Sequence, residues 1–171
     1  MAQITVKIKD NQKDAYKVRL AVFVAEQKFQ NEFDDIDNIC EYVTLYDEDK
    51  PIATGRYFPD PKGREDTFVF GRIAVLKPYR EKQIGMGVIG ALETAAKLKG
   101  GKKAILLAEG HAVGFYEKCG FTKSEERTVY CEGCPCYWME KNIYKILKNL
   151  LQFLFWCSII VKHSKIAYIA G

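Results

Sequence analysis

The stretch from residue 67 to residue 93 limits the fold more than any other part of this chain. Residues 67–75 read as a β-strand, Pro78 stops it, and a turn runs on through Tyr79 to Gly87. An amphipathic helix comes next. The first N–H groups of a helix have no intrahelical partner, and its dipole favours negative charge there. A strand feeding a glycine-bearing turn and then a helix start is therefore an anion site. Downstream, residues 114–121 place Tyr116 near a helix end. The two segments together point to a protein that grips a pyrophosphate and does acid–base chemistry beside it.

With 171 residues the chain is long enough for one well-cored domain and short for two. The net charge of +4 is mild. It argues against a nucleic-acid partner, which a basic block or stripe would signal, and suits an anionic small ligand. The first residues lack the apolar core of a signal peptide, so a cytoplasmic location with reduced cysteines is expected. Cys131, Cys134 and Cys136 cluster, but zinc wants four ligands, and His111 and His163 are remote in sequence. A cysteine-rich turn without metal is expected there.

Ile4, Val6 and Ile8 alternate with polar residues as a first strand. Asn11 can cap a helix over 12–27 with Ala15, Val18, Val22 and Ala25 as its apolar stripe. Residues 28–41 are acidic and irregular, with Glu32, Asp34, Asp35, Asp37 and Glu41. Strands over 42–46 and 52–57 enclose a turn at 47–51. In the helix after Gly87, Val88, Ile89, Leu92, Ala95 and Ala96 share one face, and Gly100–Gly101 ends it. A buried strand over 104–107 precedes a helix over 111–118. Residues 127–131 and 137–141 form a last hairpin around the cysteine turn. The order β-α-β-β-β-α-β-α-β-β describes an α/β fold, a mixed central sheet with helices on both faces and a right-handed crossover in the middle.

After Lys141 the character changes. Residues 150–161 are almost wholly apolar, yet far short of the roughly twenty that a membrane span needs. A terminal helix on the domain, or an unstructured extension, is expected rather than a membrane anchor. The domain is thus placed at 1–142, with an apolar and basic extension at 143–171.

At these motifs the sequence resembles the GNAT superfamily of acetyl-CoA-dependent N-acetyltransferases, and within it the small ElaA-like branch. The resemblance covers about residues 3–142. Its pieces are residues 19–27, 53–56, 71–75, 79–87 and 115–121. None is strong alone; their order and spacing make them specific. The family's R/Q-x-x-G-x-G/A turn, which wraps the pyrophosphate of coenzyme A, maps onto Arg80, Glu81, Lys82, Gln83, Ile84 and Gly85, with Met86 and Gly87 opening the helix. Gln83 stands where the first glycine usually is. It fits the backbone provided φ stays negative, and its amide adds a donor. Arg80 would pair with phosphate through its guanidinium.

The resemblance further implies that Ile73, Ala74 and Val75 splay from the strand over 104–107. The pantetheine arm would lie in that gap, with strand-like bonds to Ile73 and Val75. A backbone N–H near Val75 would hold the acetyl carbonyl. Tyr116 would protonate the leaving thiolate. Glu109 is the first choice for the base, with Glu26 and Glu41 as alternatives from the acceptor side. Arg72 either steers the acceptor or satisfies a buried carboxylate. The acidic segment from Glu32 to Glu41 either attracts a cationic amine or is a solvated loop. The implied reaction is acetyl transfer from acetyl-CoA, as co-substrate, to the primary amine of a small molecule or peptide. The attack is direct, with Cys119 only packing, in a monomer or homodimer. Two rivals are an acyl-CoA-binding sensor or scaffold without catalysis, and an interaction module built on the cysteine cluster and the tail.

Overall fold

The computed structural model describes residues 4–9, 11–125, 128–131 and 133–144. The apolar run at 150–161 and Arg127 lie outside them. Strands β1 (Ile4–Ile8), β2 (Glu41–Asp47), β3 (Lys50–Pro59), β4 (Thr67–Val75), β5 (Lys103–Glu109), β6 (Thr122–Lys123), β7 (Val129–Cys131) and β8 (Cys134–Asn142) form one sheet in the order β1-β2-β3-β4-β5-β8-β6, with β7 also on β8. Among the described residues only β4 and β5 pair in parallel; every other neighbour is antiparallel. Helix α2 (Ile84–Leu98) makes the connection between them that a parallel pair requires.

Successive side chains of a strand face opposite ways. On β4, Ala74 packs with Val18 and Val22 of the first helical segment. Ile73 and Val75 face the main core, where Val88, Ile89 and Leu92 of α2 meet Val43, Leu45 and Ile52. The helices therefore cover both faces of the sheet. All five residues expected on the inner face of α2 are buried. Its end is closed by N–H groups of Gly100 and Gly101 donating to Lys97 and Ala96.

The first helix differs from the expectation. Helix α1 covers only Gln12–Arg19, and Leu20–Glu26 continues it as a π-helix. Bonding from i to i+5 widens each turn, so the expected stripe does not hold: Val22 stays buried while Ala25 is exposed. Nor does Asn11 cap with its side chain. Its amide donates to the carbonyls of Lys7 and Lys9, and its oxygen accepts from Thr44, so it ties the β1–α1 corner to β2. Between strands β2 and β3 the loop is tighter than expected, since Asp47 pairs with Lys50. Pro51, which has no N–H for the ladder, sits beside a register shift. Strand β6 is not among the expected strands; two residues carry too short a pattern to see.

Candidate active site

The sheet opens in its middle. Strands β4 and β5 pair from Thr67↔Lys103 to Phe70↔Leu106 and no further. Beyond that point Leu107, Ala108 and Glu109 pair only with β8, while the second half of β4 keeps only β3. One edge of residues 71–75 is left without a strand. Leu76 N–H donates back to Ile52 on β3 at 2.9 Å, so strand alternation turns the N–H groups of Val75 and Ile73 toward the gap.

A bulge marks where the strands part. Arg56 pairs with Gly71 and Thr54 with Ala74, so Arg72 and Ile73 together oppose Gly55. Arg72 takes φ 49°, a left-handed conformation costing an ordinary residue about 1–2 kcal/mol. A Cβ on Gly55 would meet Leu92 at 2.9 Å and Val88 at 3.0 Å, so α2 closes down on glycine there.

The turn between β4 and α2 ends at the open edge. Gly87 N–H is the first to bond back into the helix, to Gln83 O at 3.1 Å. The N–H groups of Ile84, Gly85 and Met86 precede it and have no helical acceptor. Gln83 has φ 62° and Glu81 φ 61°, so the negative φ expected of Gln83 is not what the chain adopts. The turn needs the conformation that a glycine would supply, and glutamine bears its strain. A Cβ on Gly85 would lie 3.1 Å from the Phe115 ring, so the helix start packs against the segment carrying Tyr116. Lys82 lies over the Tyr79 ring at 5.7 Å. The Arg80 guanidinium is engaged: Nε donates to Val75 O at 3.0 Å, and its two other nitrogens donate to Glu26 at 2.7 and 2.8 Å.

Across the gap, α3 (Val113–Lys118) carries Tyr116, half-buried between Phe115 and Phe121 at centroid distances of 5.1 and 6.2 Å. Burial raises its phenol above the ordinary value, with smaller contributions from neighbouring Cys119 and Glu109, so it is protonated at neutral pH. Glu109 ends β5 and lies 3.4 Å from His111 Nδ1. Tyr116 and Glu109 thus share the end of β5 beside the gap. Glu41 does not join them. It binds Lys99 at 2.7 Å and Tyr57 at 2.6 Å, beyond the far end of an α2 that is about 22 Å long. Burial pushes the Cys119 thiol up to about 11, which leaves it protonated and suits packing.

On the other side of β4 the acidic segment is folded against arginines. Buried Arg19 binds Glu32 and Asp37, and Arg56 binds Asp34 through both terminal nitrogens at 2.7 Å. Arg72 donates to Glu32 O at 3.1 and 3.2 Å and lies 3.0 Å from the Glu32 carboxylate. Of its two expected roles, Arg72 therefore fills that of partner to a buried carboxylate. Burial opposes ionisation of Asp37, but hydrogen bonds from Arg19 and Tyr42 outweigh it and hold the carboxyl far below its usual range. For Glu32 burial wins and the pKa rises. Three of the acidic side chains expected to attract a cation or face solvent, buried Glu32 and Asp37 and exposed Asp34, instead pair with arginines of this chain.

Cys131 and Cys134 face each other in the β7–β8 hairpin. Burial and these neighbouring thiols push Cys136 up to about 12. Among the described residues no group of three or more His, Cys, Asp or Glu side chains is placed to hold a metal. No helix among them is long and apolar enough to cross a membrane.

Comparison with known proteins agrees with this geometry. An uncharacterized N-acetyltransferase of Bacillus subtilis, YjcF, is 35% identical over 83% of this chain and 100% of its own length. The crystal structure of a candidate N-acetyltransferase from Lactobacillus plantarum superposes with a TM-score of 0.75 at 31% identity, covering 82% of this chain and 99% of that one. Escherichia coli ElaA shares the fold, with a TM-score of 0.70 at 22% identity over 82% of this chain and 100% of its own. So does an aminoglycoside 6'-N-acetyltransferase complexed with coenzyme A, with a TM-score of 0.65 at 16% identity over 81% and 96%. Residues 8–121 match the acetyltransferase (GNAT) family, two thirds of the sequence, and the chain belongs to that family.

Proposed function

We propose that this protein moves the acetyl group of acetyl-CoA to a primary amine of a small molecule or peptide, by direct attack in a ternary complex. The observation that carries this reading is the open edge of β4. It exposes backbone groups beside the uncapped N–H groups of α2. A fold neighbour binds coenzyme A, which fits that edge in chemistry: an amide-bearing arm to pair with a strand, and a pyrophosphate for a helix start.

In this reading Ile73, Ala74 and Val75 line the pantetheine arm. The backbone from Glu81 to Gly87 receives the pyrophosphate, through Lys82, Gln83, Ile84, Gly85 and Met86, with Arg80 as the side-chain cation. The amine nitrogen attacks the thioester carbonyl. The Val75 N–H steadies the oxyanion that forms. The carbon–sulfur bond then breaks, and the thiolate takes the Tyr116 proton. Glu109, directly or through a water, takes the proton that the amine sheds. Burial keeps the Tyr116 proton available but makes the phenol a weaker acid. Transfer is therefore driven by collapse of the intermediate rather than by a favourable pKa match.

The test is release of the coenzyme A thiol from acetyl-CoA against a panel of amines. Amine-dependent release, with a matching acetylated product, is expected. Tight binding of acetyl-CoA without release across the panel would replace this reading with that of an acyl-CoA sensor.

A further inference from the structure

Arg80 already holds an anion. Both oxygens of Glu26 accept from its guanidinium, at 2.7 and 2.8 Å, while Nε is fixed by the Val75 carbonyl. That carboxylate closes the π-helical segment, where Gln27 N–H reaches back to Val22 O at 3.0 Å. π-Turns concentrate at functional sites. The pair is open to water, with 37% of the arginine and 38% of the glutamate side chain exposed. The planar fork that fits one carboxylate also fits one phosphate. Arg80 sits between Val75, which ends the open edge, and Gln83, the cap residue just before α2.

We propose that Glu26 is an internal stand-in for the donor's pyrophosphate. It keeps the guanidinium aimed in the free protein, and it leaves Arg80 when the phosphates arrive. This rests on the acetyl-CoA reading. The hydrogen bonds from Arg80 lower the Glu26 pKa, so the carboxylate is ionised throughout the neutral range and competes at every working pH. An exposed ion pair is weak, so the competition is mild, and a dianionic pyrophosphate that also reaches the α2 N–H groups wins it. A singly charged anion touching Arg80 alone does not. Glu26 thereby reduces donor affinity slightly while rejecting simple anions. Once displaced, it presents an unpaired carboxylate on the acceptor side of the gap.

Calorimetric titration with desulfo-CoA at fixed ionic strength tests this on the full chain, on Glu26→Gln and on the same change in an Arg80→Ala background. Glu26→Gln is expected to bind about two- to five-fold tighter, the range for losing one exposed pair. The gain should vanish without Arg80. Glu26→Ala, at the same exposed position, should act in the same direction. Unchanged or weaker binding by both Glu26 variants would overturn the proposal and leave Glu26 as a simple brace for Arg80. A gain that persists in Arg80→Ala would overturn it too, since the competition would then lie elsewhere. Failure of the unaltered chain to bind would overturn the acetyl-CoA reading itself, a result distinct from either.

Discussion

Two arginine–carboxylate arrangements flank the open half of β4, and they differ chiefly in their access to water. On one side Arg19, Glu32, Asp37 and Arg56 are all almost wholly buried. On the other, Arg80 and Glu26 stand more than a third exposed. The contacts are chemically alike and physically opposite. A buried ion has no water to fall back on, so removing its partner leaves an uncompensated charge. An exposed ion exchanges partners at small cost. The buried cluster is therefore a fixture that holds the acidic segment against the β4 bulge, where Arg72 meets Glu32. The exposed pair is free to exchange, as the role proposed for Arg80 requires.

The largest expected effect comes from breaking the fixture. Asp37→Asn leaves Arg19 and Arg56 short of charge and should destabilise the fold by about 3–5 kcal/mol in chemical denaturation. A loss under about 1 kcal/mol, the size for an exposed pair, would make the two arrangements equivalent. The same cluster implies acid lability. Asp37 and Asp34 have lowered pKa values in the fold, so their stabilisation is complete above the unfolded value near 3.9 and disappears as pH falls through the folded values. Glu32, with a raised value, works in the opposite sense and softens the slope. Denaturation at about pH 5 and about pH 3, either side of the unfolded value, should show the drop, and Asp37→Asn should flatten it.

Next in size is Tyr116→Phe. Removing a general acid should lower turnover by about 100-fold or more while leaving acetyl-CoA affinity nearly unchanged. Unaltered turnover would leave Tyr116 as packing between Phe115 and Phe121. On the exposed side, Arg80→Ala should weaken donor binding by about 10- to 100-fold, the range for losing charged hydrogen bonds, with little change in melting temperature. A large stability loss there would mean that Arg80 belongs with the fixture.

Smallest is Gln83→Gly. It relieves a left-handed glutamine but loosens the unfolded chain, and the two effects oppose each other within about 1 kcal/mol. A near-neutral melting temperature with donor affinity maintained or improved is expected. A clear loss of affinity would show that the Gln83 amide, rather than its backbone, matters.

Much of this was legible in the sequence. The strands other than β6, and α2, were, because period-two alternation, Pro78 and the glycine turn each act locally. The outline of the candidate site was legible too, because the strand, turn and helix that bring residues 80–87 to the open edge are contiguous. The buried arginines were not, because their partners come from separate parts of the chain and nothing local marks them as paired. Arg80 and Glu26 lie 54 residues apart. The bulge was hidden as well, since Gly71–Arg72–Ile73 reads as uninterrupted strand, and only the register against Gly55 reveals the extra residue. The π-turn escaped for a related reason. Its sequence is ordinary helix, and burial of Arg19 and Val22 together with exposure of Ala25 is visible only in three dimensions.

The most direct measurement is calorimetric titration of the purified chain with acetyl-CoA, with desulfo-CoA as the non-reactive control. Tight binding of both at one molecule per chain is expected, weakened by Arg80→Ala and indifferent to Tyr116→Phe. Absence of binding by well-folded protein would contradict the acetyl-CoA reading, and the open edge of β4 would then need another occupant.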